Sequence, residues 1–156
     1  MQKITVLCVG KLKEAFYRDA AAEYAKRLGR YCKLEITELP EQRLPEDPSP
    51  AEVRRALERE AEAIRGRLPA GAAVAAMCVE GELYSSEELA GLLAKQERNL
   101  VFVVGGSFGL DKSVKDAAWL RLSMSPMTFP HHLARVMLLE QIYRSFQIRG
   151  GGKYHK

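Results

Sequence analysis

The chain has 156 residues, 47% apolar and 28% charged, with 24 Lys plus Arg against 20 Asp plus Glu and a formal charge of +4. One domain covering residues 1–156 is expected at this size, and the composition excludes a disordered tail. No apolar run approaches the roughly 18 residues that cross a bilayer, and residues 4–9 are too short for a secretory segment.

The elements follow in chain order. Residues 4–9, Ile-Thr-Val-Leu-Cys-Val, form a β-branched run closed by Gly10, the pattern of a buried strand. Ala15, Phe16, Ala20, Tyr24 and Leu28 then recur at helical spacing, and Gly29 is placed to end the helix. Residues 32–39 alternate apolar and polar, which predicts a half-covered strand. Four of the seven prolines fall in residues 40–50, an exposed connection. Ser49 and Pro50 open a charged helix to about Arg67. Residues 72–79 are a near-continuous apolar strand. Ser85 and Glu88 fit a capping box for a helix to about Arg98. Residues 100–104 are fully apolar and lead into Gly105-Gly106. A short helix, residues 119–124, a loop over 125–130, a helix over 131–148 and a Gly150-Gly151-Gly152 tail complete the chain.

Strands alternating with helices predict an α/β domain with a mostly parallel sheet flanked by helices. Ligands of open α/β sheets bind beyond the carboxyl ends of the strands, which points to residues 77–81, 105–110 and 124–130. The turn Gly105-Gly106-Ser107-Phe108-Gly109 lets a ligand approach backbone closely. Its spacing is neither a dinucleotide fingerprint nor a P-loop, because Lys112-Ser113 follows Asp111 where the motif needs Gly. The stretch Ser123 to Pro130 combines two prolines, hydroxyl groups, methionines and a phenylalanine, which suits a flat heterocycle better than a phosphate.

Charge is uneven along the chain. Residues 130–156 hold Arg135, Arg144, Arg149, Lys153 and Lys156 against Glu140 alone, and carry all three histidines. The first 129 residues balance 19 bases with 19 acids. A basic end of this kind is an argument about partners. Arg135 and Arg144 read either as RNA contacts or, for Arg144 with Glu140, as a surface ion pair. Tyr154-His155 after three glycines offers stacking and proton transfer, or is a frayed terminus. There is no G-x-S-x-G elbow, and adjacent His131 and His132 cannot face one metal ion from a helix. Cys8, Cys32 and Cys78 are odd in number, lack C-x-x-C spacing and read as small core residues of a reducing compartment. No metal and no membrane partner are expected, and the location expected is cytoplasmic.

Val9-Gly10-Lys11-Leu12-Lys13, Glu80-Gly81, Val104 to Leu110, Ser125-Pro126-Met127-Thr128-Phe129-Pro130-His131, Glu140 to Arg144 and Tyr154-His155-Lys156 occur in one order. In this the chain resembles, over nearly its whole length, the bacterial methyltransferases that act on N3 of a pseudouridine in 23S ribosomal RNA, members of the SPOUT class. The resemblance implies a C-terminal trefoil knot, S-adenosyl-L-methionine as cofactor, and a homodimer with active sites at the subunit interface. It further implies a substrate within the large subunit or assembled ribosome. Carried over residue by residue, it implies cofactor contacts at Met77, Gly105, Met124, Ser125, Pro126, Met127, Thr128 and Phe129. Tyr154 and His155 are expected over the pseudouridine, with Arg144 and His131 holding RNA or stabilising charge. Two rival functions remain open on sequence: a non-catalytic ribosome-binding module using the basic end, and a nucleotide-binding enzyme using the glycine turn.

Overall fold

The computed structural model describes residues 1–156. Its five strands are β1 (Lys3–Val9), β2 (Lys33–Leu39), β3 (Ala73–Leu83), β4 (Leu100–Val104) and β5 (Leu120–Ser123). They form one sheet in the order β2-β1-β4-β3-β5, and every pairing is parallel. Parallel neighbours need crossovers, and the helices that supply them cover both faces. These are α1 (Ala15–Leu28), α2 (Pro50–Arg65), α3 (Ser86–Ala94), α4 (Lys112–Ala117) and α5 (His131–Arg149).

Side-chain alternation along each strand divides the core in two. Ile4, Val6, Cys8 and Phe102 point to the face covered by α1, α3 and α5. Leu7, Val9, Val101 and Val103 point to the face covered by α2 and α4. Phe102, Leu93, Leu138 and Ile142 have no exposed surface, and burial of each contributes about 1.5–3 kcal/mol relative to exposure. The expected alternation of β2 is present because it is an edge strand, half covered along most of its length.

Both serine caps form. Ser49 Oγ accepts from Glu52 N at 3.1 Å, and Ser85 Oγ accepts from Glu88 N at 3.0 Å, with each glutamate bonding back to the serine N–H. Each cap stabilises its helix by about 1 kcal/mol. No helix is long and apolar enough to cross a membrane.

Four expectations need correction. The helix opened by Ser85 stops at Ala94, short of Arg98, because Gln2 Nε2 donates to the carbonyls of Gln96 and Arg98 at 2.9 Å each and holds them out of a helix. β3 runs on to Leu83 past a register shift between Met77 and Glu82, both of which pair with Leu122. The shift is possible because Gly81 lies against the Arg121 backbone, where a Cβ would meet the carbonyl carbon at 2.8 Å. Gly29 closes α1 with φ −58°, so its left-handed freedom is not used. Cys32 is buried just ahead of β2, whereas Cys78 is only half-buried.

Candidate active site

The carboxyl ends of β3, β4 and β5 open into a cavity of about 740 Å³ whose remaining wall is the start of α5. That volume lies in the range of roughly 300–1,000 Å³ that holds a drug-sized ligand. Of the eight residues expected at a cofactor, Met77, Gly105, Met124, Ser125, Met127, Thr128 and Phe129 line it. Pro126 does not. It is the middle residue of a turn in which Met127 N donates to Ser125 Oγ at 3.0 Å, so it shapes the loop from outside. Ser123 Oγ donates to the Ser125 carbonyl at 2.9 Å and fixes where that loop leaves β5.

The glycine turn forms the floor. Gly109 N donates to the Gly106 carbonyl at 3.1 Å, and Gly109 has φ +80°, a region that favours glycine. A Cβ on Gly105 would meet the Gly109 carbonyl oxygen at 2.4 Å, so backbone passes where any other residue would place a side chain. Phe108 and Met127 flank the opening at 51% and 71% exposure, leaving apolar surface for a ligand to cover.

Charge in the cavity argues against a polyphosphate. Its one lysine, Lys115, bonds Glu80 at 2.5 Å, and this contact holds the Glu80 carboxyl below its ordinary range. No cation is therefore left over for a triphosphate. Half the lining is apolar, 11 residues of 21, which fits a heterocycle together with a compact polar group. No group of three or more His, Cys, Asp or Glu side chains gathers as a metal site.

His131 is the first residue of α5 and enters the cavity wall. Its Nε2 is buried with no hydrogen-bond partner. Burial, followed by the adjacent His132, pushes the imidazole below its ordinary pKa, so it is neutral at pH 7. An unpartnered buried ring nitrogen at a cavity wall is a feature a ligand would complete.

The other three expected catalytic residues sit together but elsewhere. Arg144 Nε bonds Glu140 Oε1 at 2.8 Å, and the Tyr154 hydroxyl donates to Glu140 Oε2 at 2.7 Å. Arg144 lies 4.8 Å from the Tyr154 ring centroid, and its Nη1 donates to His155 Nδ1 at 3.0 Å. Arginine has no acceptor, so the His155 proton belongs on Nε2, which donates to Glu87 at 2.5 Å. The Glu140 bond pushes the Tyr154 hydroxyl up to about 12. The tail is docked, not frayed. A smaller cavity of about 270 Å³, sharing Leu122 and Met124 with the first, reaches Glu140 and so links the two groups.

Arg135 corrects the reading of the basic end. It is 3% exposed, with Nη1 on Glu38 Oε2 at 2.7 Å and Nη2 on the Gly10 carbonyl at 2.9 Å. It cannot contact RNA, and with Arg144 on Glu140 two of the five C-terminal cations are matched internally. Cys78 and Glu80, within the expected loop 77–81, line the cavity, and so does Lys115, which sequence reading missed. Cys78 was assigned to the core because strand alternation does not reveal where a strand bends into a ligand site. The Glu80–Lys115 pair spans 35 residues and leaves no local pattern.

A family model described as "Predicted SPOUT methyltransferase" matches residues 2–155. The ribosomal RNA large subunit methyltransferase H of Streptococcus equi subsp. zooepidemicus (strain MGCS10565) is 44% identical over 158 aligned positions, covering 99% of each chain. That of Clostridium beijerinckii is 46% identical over 157 positions, covering 98% of this chain and 99% of its own. In fold, the chain resembles a probable methylase family protein from Haemophilus influenzae Rd KW20, with TM-score 0.55, 14% identity and coverage of 98% of this chain and 70% of the other. Match and coverage run essentially end to end: the chain belongs to the SPOUT family of methyltransferases.

Proposed function

We propose that the chain is an S-adenosyl-L-methionine-dependent methyltransferase that methylates N3 of a pseudouridine in 23S ribosomal RNA. The substrate is the large subunit within assembled ribosomes, and the enzyme is cytoplasmic. The observation that carries the reading is the convergence of seven expected cofactor residues on one cavity with no spare cation. The full-length similarity to ribosomal RNA large subunit methyltransferases H supports the choice of RNA.

When bound, S-adenosyl-L-methionine supplies an activated methyl group on a sulfonium centre. The displacement forms the N3–carbon bond as the sulfur–carbon bond breaks, so alignment matters more than strong acid or base. The Gly105 and Gly109 backbone forms a floor on which the cofactor's heterocycle would rest, and Met77, Met124 and Phe129 would supply apolar contact. The N3 proton must also leave. His131, neutral with an unpartnered Nε2, is the proposed acceptor, because both His155 nitrogens already have partners.

The active enzyme is proposed as a homodimer, with the C-terminal knot of its class. His131 and Arg144 are 13 residues apart on α5, roughly 20 Å at 1.5 Å per residue. A single chain therefore keeps the tail cluster away from its own His131, and a second copy would bring a tail to the cavity. One observation supports an apolar surface for it: Phe16 of α1 is 65% exposed.

Calorimetric titration with S-adenosyl-L-methionine, its demethylated product and ATP tests the cofactor. The first two are expected to bind and ATP is not; tight ATP binding with neither of the others would overturn the reading. Deleting residues 154–156 is expected to abolish methylation of assembled ribosomes while cofactor affinity stays within about threefold, since the tail does not line the cavity. Full turnover by the truncated chain would remove the tail from the mechanism.

A further inference from the structure

The proline-bearing segment between β2 and α2 contains one side chain that reaches the cavity floor from behind. Glu41 Oε1 accepts the Ser107 N–H at 2.8 Å, and Gly106 gives it room: a Cβ there would lie 2.5 Å from that oxygen. Its other oxygen faces Gly10, whose backbone has φ +97°. A Cβ on Gly10 would be 3.4 Å from Glu41 Oε2 and 3.8 Å from His131 Nε2, so the carboxylate and the imidazole converge on the same glycine. The segment is pinned one residue on, where Gln42 N donates to Glu60 Oε2 at 2.8 Å on α2. Glu60 is buried, so that anchor is shielded from water.

We infer that Glu41 is a positioning residue, which holds the glycine turn in its ligand-binding shape and presents a negative charge to His131. The inference rests on the cavity being the methyl-donor site. The turn has few other restraints, because Ser107 and Phe108 are exposed and Gly105, Gly106 and Gly109 carry no side chains to pack. A carboxylate accepting a backbone N–H is a strong charge-assisted bond, which suits a turn built from glycine.

The charges around His131 give the second role its sign. His132 beside it and Arg135 one turn along α5 both disfavour the imidazolium, as does burial. Glu41 and Glu14 favour it, and Glu38 is occupied by Arg135. Glu41 thus moderates the depression of the His131 pKa, which makes the imidazole a better proton acceptor than burial alone would leave.

Glu41→Ala and Glu41→Gln separate the two roles. The glutamine keeps an oxygen for Ser107 N–H but loses the charge. Glu41→Ala is expected to weaken S-adenosyl-L-methionine binding about tenfold, the loss of one charge-assisted bond, and Glu41→Gln to restore most of it. Both are expected to move the His131 titration midpoint, followed by NMR of the imidazole, to lower pH. Wild-type affinity in Glu41→Ala would overturn the hold on the turn. An unmoved His131 midpoint in both variants would overturn the charge role. Should the wild-type chain itself bind no S-adenosyl-L-methionine, the assignment of the cofactor fails, while the His131 midpoint still decides the pairing with Glu41.

Discussion

Replacing Arg135 with methionine is expected to destabilise the fold by about 2–4 kcal/mol, read from urea melts of the two proteins. The guanidinium is buried between the start of α5 and the end of β2, bonded to Glu38 and to the Gly10 carbonyl. Methionine fills much of the volume but leaves the Gly10 carbonyl without a donor and Glu38 with only the Leu12 N–H at 3.3 Å. Glu38 retains 35% side-chain exposure, so water can reach part of it, and the loss falls below that of a fully enclosed pair. Adding Glu38→Leu should recover most of the stability, because the unpaired charge is then gone as well. The same variant should leave the salt dependence of RNA binding unchanged, since Arg135 releases no counterions. A melt within about 0.5 kcal/mol of wild type would mean that the residue behaves as an ordinary surface charge.

Gly105→Ala is expected to weaken S-adenosyl-L-methionine binding at least a hundredfold while the chain still folds. The added Cβ would meet the Gly109 carbonyl oxygen at 2.4 Å and its carbon at 2.6 Å, and both belong to backbone on the far limb of the same turn. Relief requires the turn to open, which displaces the cavity floor. A shift of this size at a binding surface is worth more than the roughly 2.7 kcal/mol of a hundredfold change. Gly106→Ala is the matched control. Its Cβ would meet the end of the flexible Glu41 side chain, which can swing away, so a smaller effect close to that of Glu41→Ala is expected. Equal and near-native affinity in both glycine variants, measured by calorimetry, would show that the turn does not touch the cofactor.

The sequence carried much of this fold because its strands are buried in a parallel sheet. β4 was found to the residue, since five consecutive apolar side chains have only one place to go. The two capping boxes were equally plain, being local bonds between residues three apart. What escaped is held by contacts remote in sequence. Nothing near Lys95 shows that Gln2 will bond the carbonyls of residues 96 and 98, and nothing near Val79 shows that Gly81 will lie on Arg121. The cavity loops, residues 77–81, 105–110 and 124–130, were legible from the strand ends, whereas the individual residues came from the resemblance to a family. Pro126 does not line the cavity as its neighbours do: a motif lists residues without saying which way each faces. The basic end misled for a related reason: charge counted along a chain does not reveal that Glu38 and Glu140 meet Arg135 and Arg144.

The position of α5 has a consequence for biogenesis. Leu138, Leu139 and Ile142, with no exposed surface, complete the core on one face of the sheet, and His131 and Ala134 close the cavity. These residues are translated after every strand of the sheet they cover. A nascent chain lacking them would leave Ile4, Val6 and Phe102 without part of their cover, and its cavity without a wall. N-terminal segments can begin to collapse during synthesis, but this architecture cannot close until α5 has been made and docked. Core and cavity are thus completed by one helix, in a single late step.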